Sequence, residues 1–154
     1  MIAFFLTFMS IENLPAQIVV IVNSQNPVTS VSIDALEKIY TASVVQWESS
    51  YNGVKYITLA DYKQKSEVVE KFFKTVTGLS HAKIRLEWIG KMLTGEIQQV
   101  PVKCSSEKDV IEFVASNTGG IGFVDASMIN ELPESVKVIK INSKNYTESD
   151  YPLM

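Results

Sequence analysis

Within residues 117–126 a helical pattern runs into two adjacent glycines, Gly119 and Gly120, and from there straight into the apolar stretch 121–124. The helix itself opens at Ser106-Glu107-Lys108-Asp109, a capping-box-like start with Asp in place of the usual Glu, and continues through Val110, Ile111, Val114 and Ala115. Glycine past a helix end supplies a left-handed backbone that other residues resist, and the pair is read in that role. A helix that delivers its chain to a strand with no linker is half of a β-α-β unit, so an α/β fold is expected.

The rest of the chain repeats this alternation. Residues 18–22 (Ile-Val-Val-Ile-Val) form a continuous β-branched run, the pattern of a strand buried on both faces. A turn cluster at 23–27 follows, and Ser32 caps a helix carrying Ile33, Leu36 and Tyr40, with Asp34 in its first turn. Residues 54–59 read as a second strand entered through an Asn52-Gly53 turn. Ser66 caps a helix with Val68, Val69, Phe72, Phe73 and Val76 at helical spacing, ended by Gly78. Ser80 caps the next, whose apolar set is Ile84, Trp88, Ile89, Met92 and Leu93, with Gly95 as its stop. Residues 99–103 form a short strand that Pro101 assigns to an edge or a strand start, and 136–141 alternate as a half-exposed strand. These elements predict a three-layer α/β sandwich around a mostly parallel or mixed five-stranded sheet. In such sheets ligands sit beyond the carboxyl ends of the strands, near helix N-termini.

Composition narrows the function. A chain of 154 residues makes one compact domain the expectation. Its net charge of -3 argues against nucleic acid as a partner, and any anion site must come from local geometry. The single cysteine, Cys104, rules out an internal disulfide and reads as a small buried hydrophobe. The single histidine, His81, falls in a first helical turn and is expected to be exposed. Trp47 and Trp88 read as core anchors, and Asp61 and Asp125 as loop polarity or caps. No catalytic set, metal-ligand spacing or nucleotide fingerprint emerges, so no enzyme, cofactor or metal is expected. Residues 1–16 read as a signal peptide: an apolar run at 2–9, too short to span a bilayer, precedes a small residue, Ala16, at the expected cut. The alternative is a first strand or helix of the mature fold. The domain is thus expected at 17–142, with a loose polar tail at 143–154, and the location is periplasmic or secreted.

The ordered pieces resemble one lobe of a type II periplasmic binding protein, in the phosphate-binding family that serves ABC transporters. Ile18 to Asn23 resembles that family's first strand, and residues 36–47 (LEKIYTASVVQW) resemble its L-x-x-I-F-x-G-x-I-x-x-W segment, with Tyr for Phe. Residues 57–68 (ITLADYKQKSEV) resemble its I-x-V-x-x-R-S-D-G-S-G-T phosphate loop, followed by the Phe72-Phe73 pair. Leu86-Glu87-Trp88, Met92-Leu93-Thr94-Gly95 and the 117–126 segment resemble pieces of short, single-lobe members in the same order. In the loop only Ser66 matches cleanly. The arginine position holds Tyr62, or Asp61 in a shifted alignment, and the glycine positions hold Lys65 and Glu67.

The resemblance implies a small oxyanion ligand, phosphate first, with an ABC permease or a second copy of the chain as possible partner. The candidate site is the start of the Ser66 helix. There the N–H groups of Glu67 and Val68 are unpaired donors, the dipole is positive, and Lys63 and Lys65 add charge. The plainer alternative is that Ser66 is only a cap and the lysines are solvated. Asn26, Thr29 and Ser30 after the first strand and Ser105 after the third are secondary candidates, expected on the same side of the sheet. A second functional alternative is a non-transport interaction module that kept the fold and lost the ligand.

Overall fold

The computed structural model describes residues 17–51 and 53–154. The expected signal peptide, and Asn52 of the expected turn, lie outside them. The chain runs β1 (Ile18–Asn23), β2 (Ser30–Val31), α1 (Ile33–Tyr40), β3 (Gln46–Tyr51), β4 (Val54–Tyr56), β5 (Thr58–Tyr62), α2 (Glu67–Thr77), α3 (His81–Leu93), β6 (Val102–Cys104), α4 (Glu107–Ser116) and β7 (Gly120–Asp125). A 3-10 turn (Ala126–Glu131), β8 (Val136–Val138) and β9 (Lys140–Ile141) complete it.

Five strands form the central sheet in the order β6-β5-β7-β1-β8. β5 pairs in parallel with both β6 and β7, whereas β1 is antiparallel to both of its neighbours, β7 and β8. The sheet is therefore mixed, with β1 the one strand that runs against the others. β1 carries no exposed residue, as its unbroken β-branched run predicts. The two sheet faces are covered by different helices. An added Cβ on Gly122 would meet Val110 and Val114 of α4, whereas the next residue, Phe123, stacks at 3.7 Å on Phe72 of α2. With α1, α2 and α3 packed in sequence on the Phe123 side, the result is the expected three layers.

Each expected serine cap is present. The side chains of Ser32, Ser66, Ser80 and Ser106 accept from the backbone N–H of Ala35, Val69, Lys83 and Asp109. Gly78 ends α2 at φ 71, the left-handed conformation that glycine tolerates.

Four expectations are corrected. Gly119 and Gly120 do not adopt positive φ; they are needed for space, since a Cβ on Gly119 would stand 2.3 Å from the Tyr56 carbonyl oxygen and one on Gly120 2.8 Å from that of Asn117. Residues 54–59 are not one strand. β4 pairs with β3 in a separate ribbon, the Ile57 N–H bonds the Val45 carbonyl at 3.0 Å, and β5 then joins the central sheet. The segment 136–141 likewise breaks at Ile139, whose N–H crosses to the Val20 carbonyl. The C-terminal tail is not loose: Tyr151 and Leu153 are buried, and the Leu153 carbonyl accepts from the Ile18 N–H at 3.0 Å. Isolated apolar residues in a polar stretch were enough to anchor it, because β1 leaves an unpaired N–H there to be satisfied.

Candidate functional site

The carboxyl ends of β5, β6 and β7 define one edge of the sheet, and antiparallel β1 begins there. Beyond β5 the Lys63 N–H bonds the Cys104 carbonyl at 2.8 Å, tying the loop after β5 to the end of β6. The loop then climbs to Ser66, whose Oγ takes the Val69 N–H at 3.2 Å. Lys63, Lys65, Ser66 and Glu67 are exposed and Val68 is half-buried. The charges here are of both signs: Glu67 and Glu70 occupy the first turn, and Lys65 Nζ lies 3.8 Å from the Glu70 carboxylate.

Ser105 shares this edge, but its N–H is already held at 2.9 Å by the Asp109 carboxylate. Asn26, Thr29 and Ser30 do not share it. The direction of β1 carries them to the opposite end of the sheet, a correction to the expected common side. There they have structural tasks. Asn26 is buried and its Oδ1 accepts from the Val28 N–H at 3.0 Å, the Thr29 carbonyl accepts from Lys140, and the Ser30 Oγ accepts from Ser143.

Two concavities lie at that opposite end. One, of about 640 Å³, is lined by Asn26, Ser30, Ser32, Lys38, Trp47 and Glu48 among others. The other, of about 520 Å³, has mainly apolar walls that include Ile39, Val44, Tyr56, Ile57 and Val100. Neither includes any of Lys63, Lys65, Ser66, Glu67 or Val68. At the start of α2 the side chains from Lys63 to Glu67 are exposed.

Asp61 and Tyr62 both turn inward. The Tyr62 hydroxyl donates to the Phe123 carbonyl at 2.6 Å, and burial pushes its pKa far up. Asp61 is 1% exposed and its Oδ1 lies 2.6 Å from His81 Nε2, with Arg85 Nε 3.7 Å from the other oxygen. His81 is thus 2% exposed instead of solvated, its ring stacked on Phe73 at 4.6 Å. Asp61 is neither loop polarity nor a cap; it is the partner that lets His81 enter the core. The available signal was an acid in an apolar strand, which needs a polar partner. Asp125 does cap, its carboxylate accepting from the Ser127 N–H at 2.9 Å. Trp88 is a core anchor, donating to the Tyr40 carbonyl at 2.8 Å, while Trp47 is only half-buried. Cys104 is buried, and desolvation raises its thiol pKa, which makes it a poor nucleophile.

Glu107 gives this edge a pH-dependent element. Its carboxylate accepts from the Asp125 N–H at 2.6 Å, yet burial outweighs that bond and raises its pKa. A carboxyl whose folded pKa is raised favours the folded state most when protonated, so this contribution fades as pH rises through and above the ordinary glutamate range. Glu107→Gln keeps an acceptor oxygen without the charge. It is expected to stabilise at neutral pH, by less than about 1 kcal/mol because the site is partly solvated. The gain should vanish in acid, as urea melts at several pH values will test.

The geometry defines a single α/β lobe in which the carboxyl ends of β5, β6 and β7 share one edge with the exposed start of α2. The family model described as the PBP superfamily domain matches residues 15–154, and the chain belongs to that family. A comparison with curated proteins gave no match. Among solved structures the chain is similar to an ABC-type phosphate transport receptor from Vibrio cholerae, at 21% identity and a TM-score of 0.63, covering 86% of this chain and 48% of that one. It is similar to PstS from Borrelia burgdorferi at 14% identity and a TM-score of 0.65, covering 84% of this chain and 49% of that one. A phosphate-binding protein from Stenotrophomonas maltophilia matches at 14% identity and a TM-score of 0.59, over 83% of this chain and 39% of that one. The chain therefore spans about half the length, or less, of these structures. Among the described residues no helix is long and apolar enough to cross a membrane.

Proposed function

We propose that this chain is an exported solute-binding protein, without catalytic activity, that takes phosphate or a similar small oxyanion at the start of α2. The carrying observation is the exposed sequence from Lys63 to Glu67 at the carboxyl end of β5, where Ser66 caps the helix and two lysines precede it. Membership of the PBP superfamily and likeness to phosphate receptors support the choice of ligand. Residues 1–16 would be removed as a signal peptide. N-terminal sequencing of exported protein tests this, and a mature chain that keeps Met1 overturns it.

The affinity follows from the openness of the edge. A helix terminus or an exposed charge contributes about 0.3–1 kcal/mol, so the α2 dipole and two lysines total no more than about 3 kcal/mol. A micromolar ligand needs about 8 kcal/mol, and a millimolar one about 4. The lone chain is expected to bind phosphate no tighter than millimolar, and tighter binding requires a second surface, from an ABC permease or another copy, to bury the ligand. Calorimetry with phosphate and sulfate tests this. A weak saturable signal lost in Lys63→Gln/Lys65→Gln is expected; no heat and no thermal shift at high millimolar ligand overturns it.

A second reading is a protein-interaction module that kept the fold and lost the ligand. Glu67 and Glu70 favour it, because carboxylates in the first turn of α2 compete with any anion for the helix dipole. Recovery of a stable protein partner with no small ligand would select this reading.

A further inference from the structure

We propose that the cavity of about 640 Å³ bounded by the turn after β1, by α1 and by β3 is a binding site for a neutral saccharide of one or two rings. The inference does not rest on oxyanion binding, which is proposed for the opposite end of the sheet. Small-molecule sites occupy about 300–1,000 Å³, and this cavity falls within that range. Asn26 lines it and is 5% exposed. The Asn26 Oδ1 accepts the Val28 N–H at 3.0 Å, which orients the amide and leaves Nδ2 as its free end. No acceptor among the described residues meets Nδ2, yet the only fully enclosed polar side-chain atoms without a partner among them are the Tyr40 and Tyr151 hydroxyls. The Nδ2 hydrogens therefore open onto the cavity, where a donor on so buried a side chain calls for an acceptor.

Charge selects a neutral ligand. Asp34 and Lys38 line the cavity one turn apart on the same side of α1, and Glu48 lines it from β3. None of the three forms an ion pair among the described residues. An anion would meet two carboxylates, and a cation would bring no acceptor to Asn26. A hydroxyl group both donates and accepts, so a polyhydroxyl ligand can accept from Asn26 and Lys38 while it donates to Asp34 and Glu48. Trp47 adds the apolar surface that the C–H face of a sugar ring requires. It is half-buried, packs against the core and lines the cavity, and its indole N–H is held by the Gly119 carbonyl at 3.3 Å.

Trp47 also gives the readout, because Trp88 is buried and sheltered from a soluble quencher. Maltose, cellobiose, lactose and N,N′-diacetylchitobiose are each titrated into the full chain to high millimolar concentration. At least one of them should shield Trp47 from acrylamide quenching, saturably. Asn26→Asp keeps the oxygen that the Val28 N–H needs and exchanges the free donor for an acceptor. It should raise the dissociation constant at least about fivefold. Ala35→Phe fills the cavity from α1 without touching Asn26, and should abolish the saturable shielding even where Asn26→Asp folds poorly. Phosphate and choline, as anionic and cationic probes, should leave the quenching unchanged. No shielding by any of the four sugars overturns the proposal, as does shielding by phosphate or choline in their place, or a sugar response that survives both variants.

Discussion

His81→Ala should cost about 3 kcal/mol of folding free energy, more than any surface substitution in this chain. The variant removes the closer partner of Asp61, whose side chain is 1% exposed and held at 2.6 Å by the imidazole. Removing the hydrogen-bond partner of a buried carboxyl group typically costs about 3–5 kcal/mol, because that group stays in the core without it. The lower end applies here, since Arg85 remains 3.7 Å from the second oxygen and is 31% exposed, able to follow the carboxylate. The lost stacking on Phe73 adds a cavity beneath α3. Replacing both partners separates the charge from the packing. His81→Phe/Asp61→Leu keeps the stack, leaves no buried carboxylate, and should recover most of the loss. Urea midpoints of the single and double variants decide this; a His81→Ala protein as stable as the parent would show that the pair does not hold α3 to β5.

That pair also marks where sequence reasoning stopped. The four serine caps were legible because a cap is settled within four residues, by a hydroxyl and the N–H it faces. The edge position of β6 was legible from Pro101, and the burial of β1 from its unbroken Ile and Val run. The direction of β1 was not. Periodicity reports which faces are buried and is silent on which way a strand runs, and the antiparallel entry of β1 is what sends Asn26, Thr29 and Ser30 away from Ser66. The Lys63–Val68 segment and Ser105 both follow parallel strands, β5 and β6, and so lie at one edge. That the Ser105 N–H is consumed by Asp109 depends on a side-chain rotamer that no spacing rule supplies. The exposed side of α3 was missed because apolar spacing says which residues share a seam, and not whether this chain alone fills it.

Gly119→Ala is expected to be the most damaging single-methyl change, at about 3 kcal/mol. The new Cβ would stand 2.3 Å from the Tyr56 carbonyl oxygen and 3.2 Å from a Val54 methyl. Overpacking usually costs about 1–3 kcal/mol when flexible side chains can yield. Here the obstacle is backbone, and it is fixed from both sides: β4 is paired to β3, and the Gly119 carbonyl itself accepts the Thr58 N–H at 2.9 Å. Relief therefore requires moving the β3–β4 ribbon off the central sheet. Trp47 reports that movement directly, since its indole N–H donates to the same Gly119 carbonyl at 3.3 Å. The variant should show both a lowered melting temperature and a red-shifted tryptophan emission. Gly78→Ala supplies the contrast. Its Cβ meets nothing within 4 Å, so only the φ of 71 opposes it, at about 1–2 kcal/mol and with no change in Trp47 emission. If Gly119→Ala proves the milder of the two, or leaves the emission of Trp47 unmoved, the close approach of β4 to the α4–β7 corner is not what fixes this glycine.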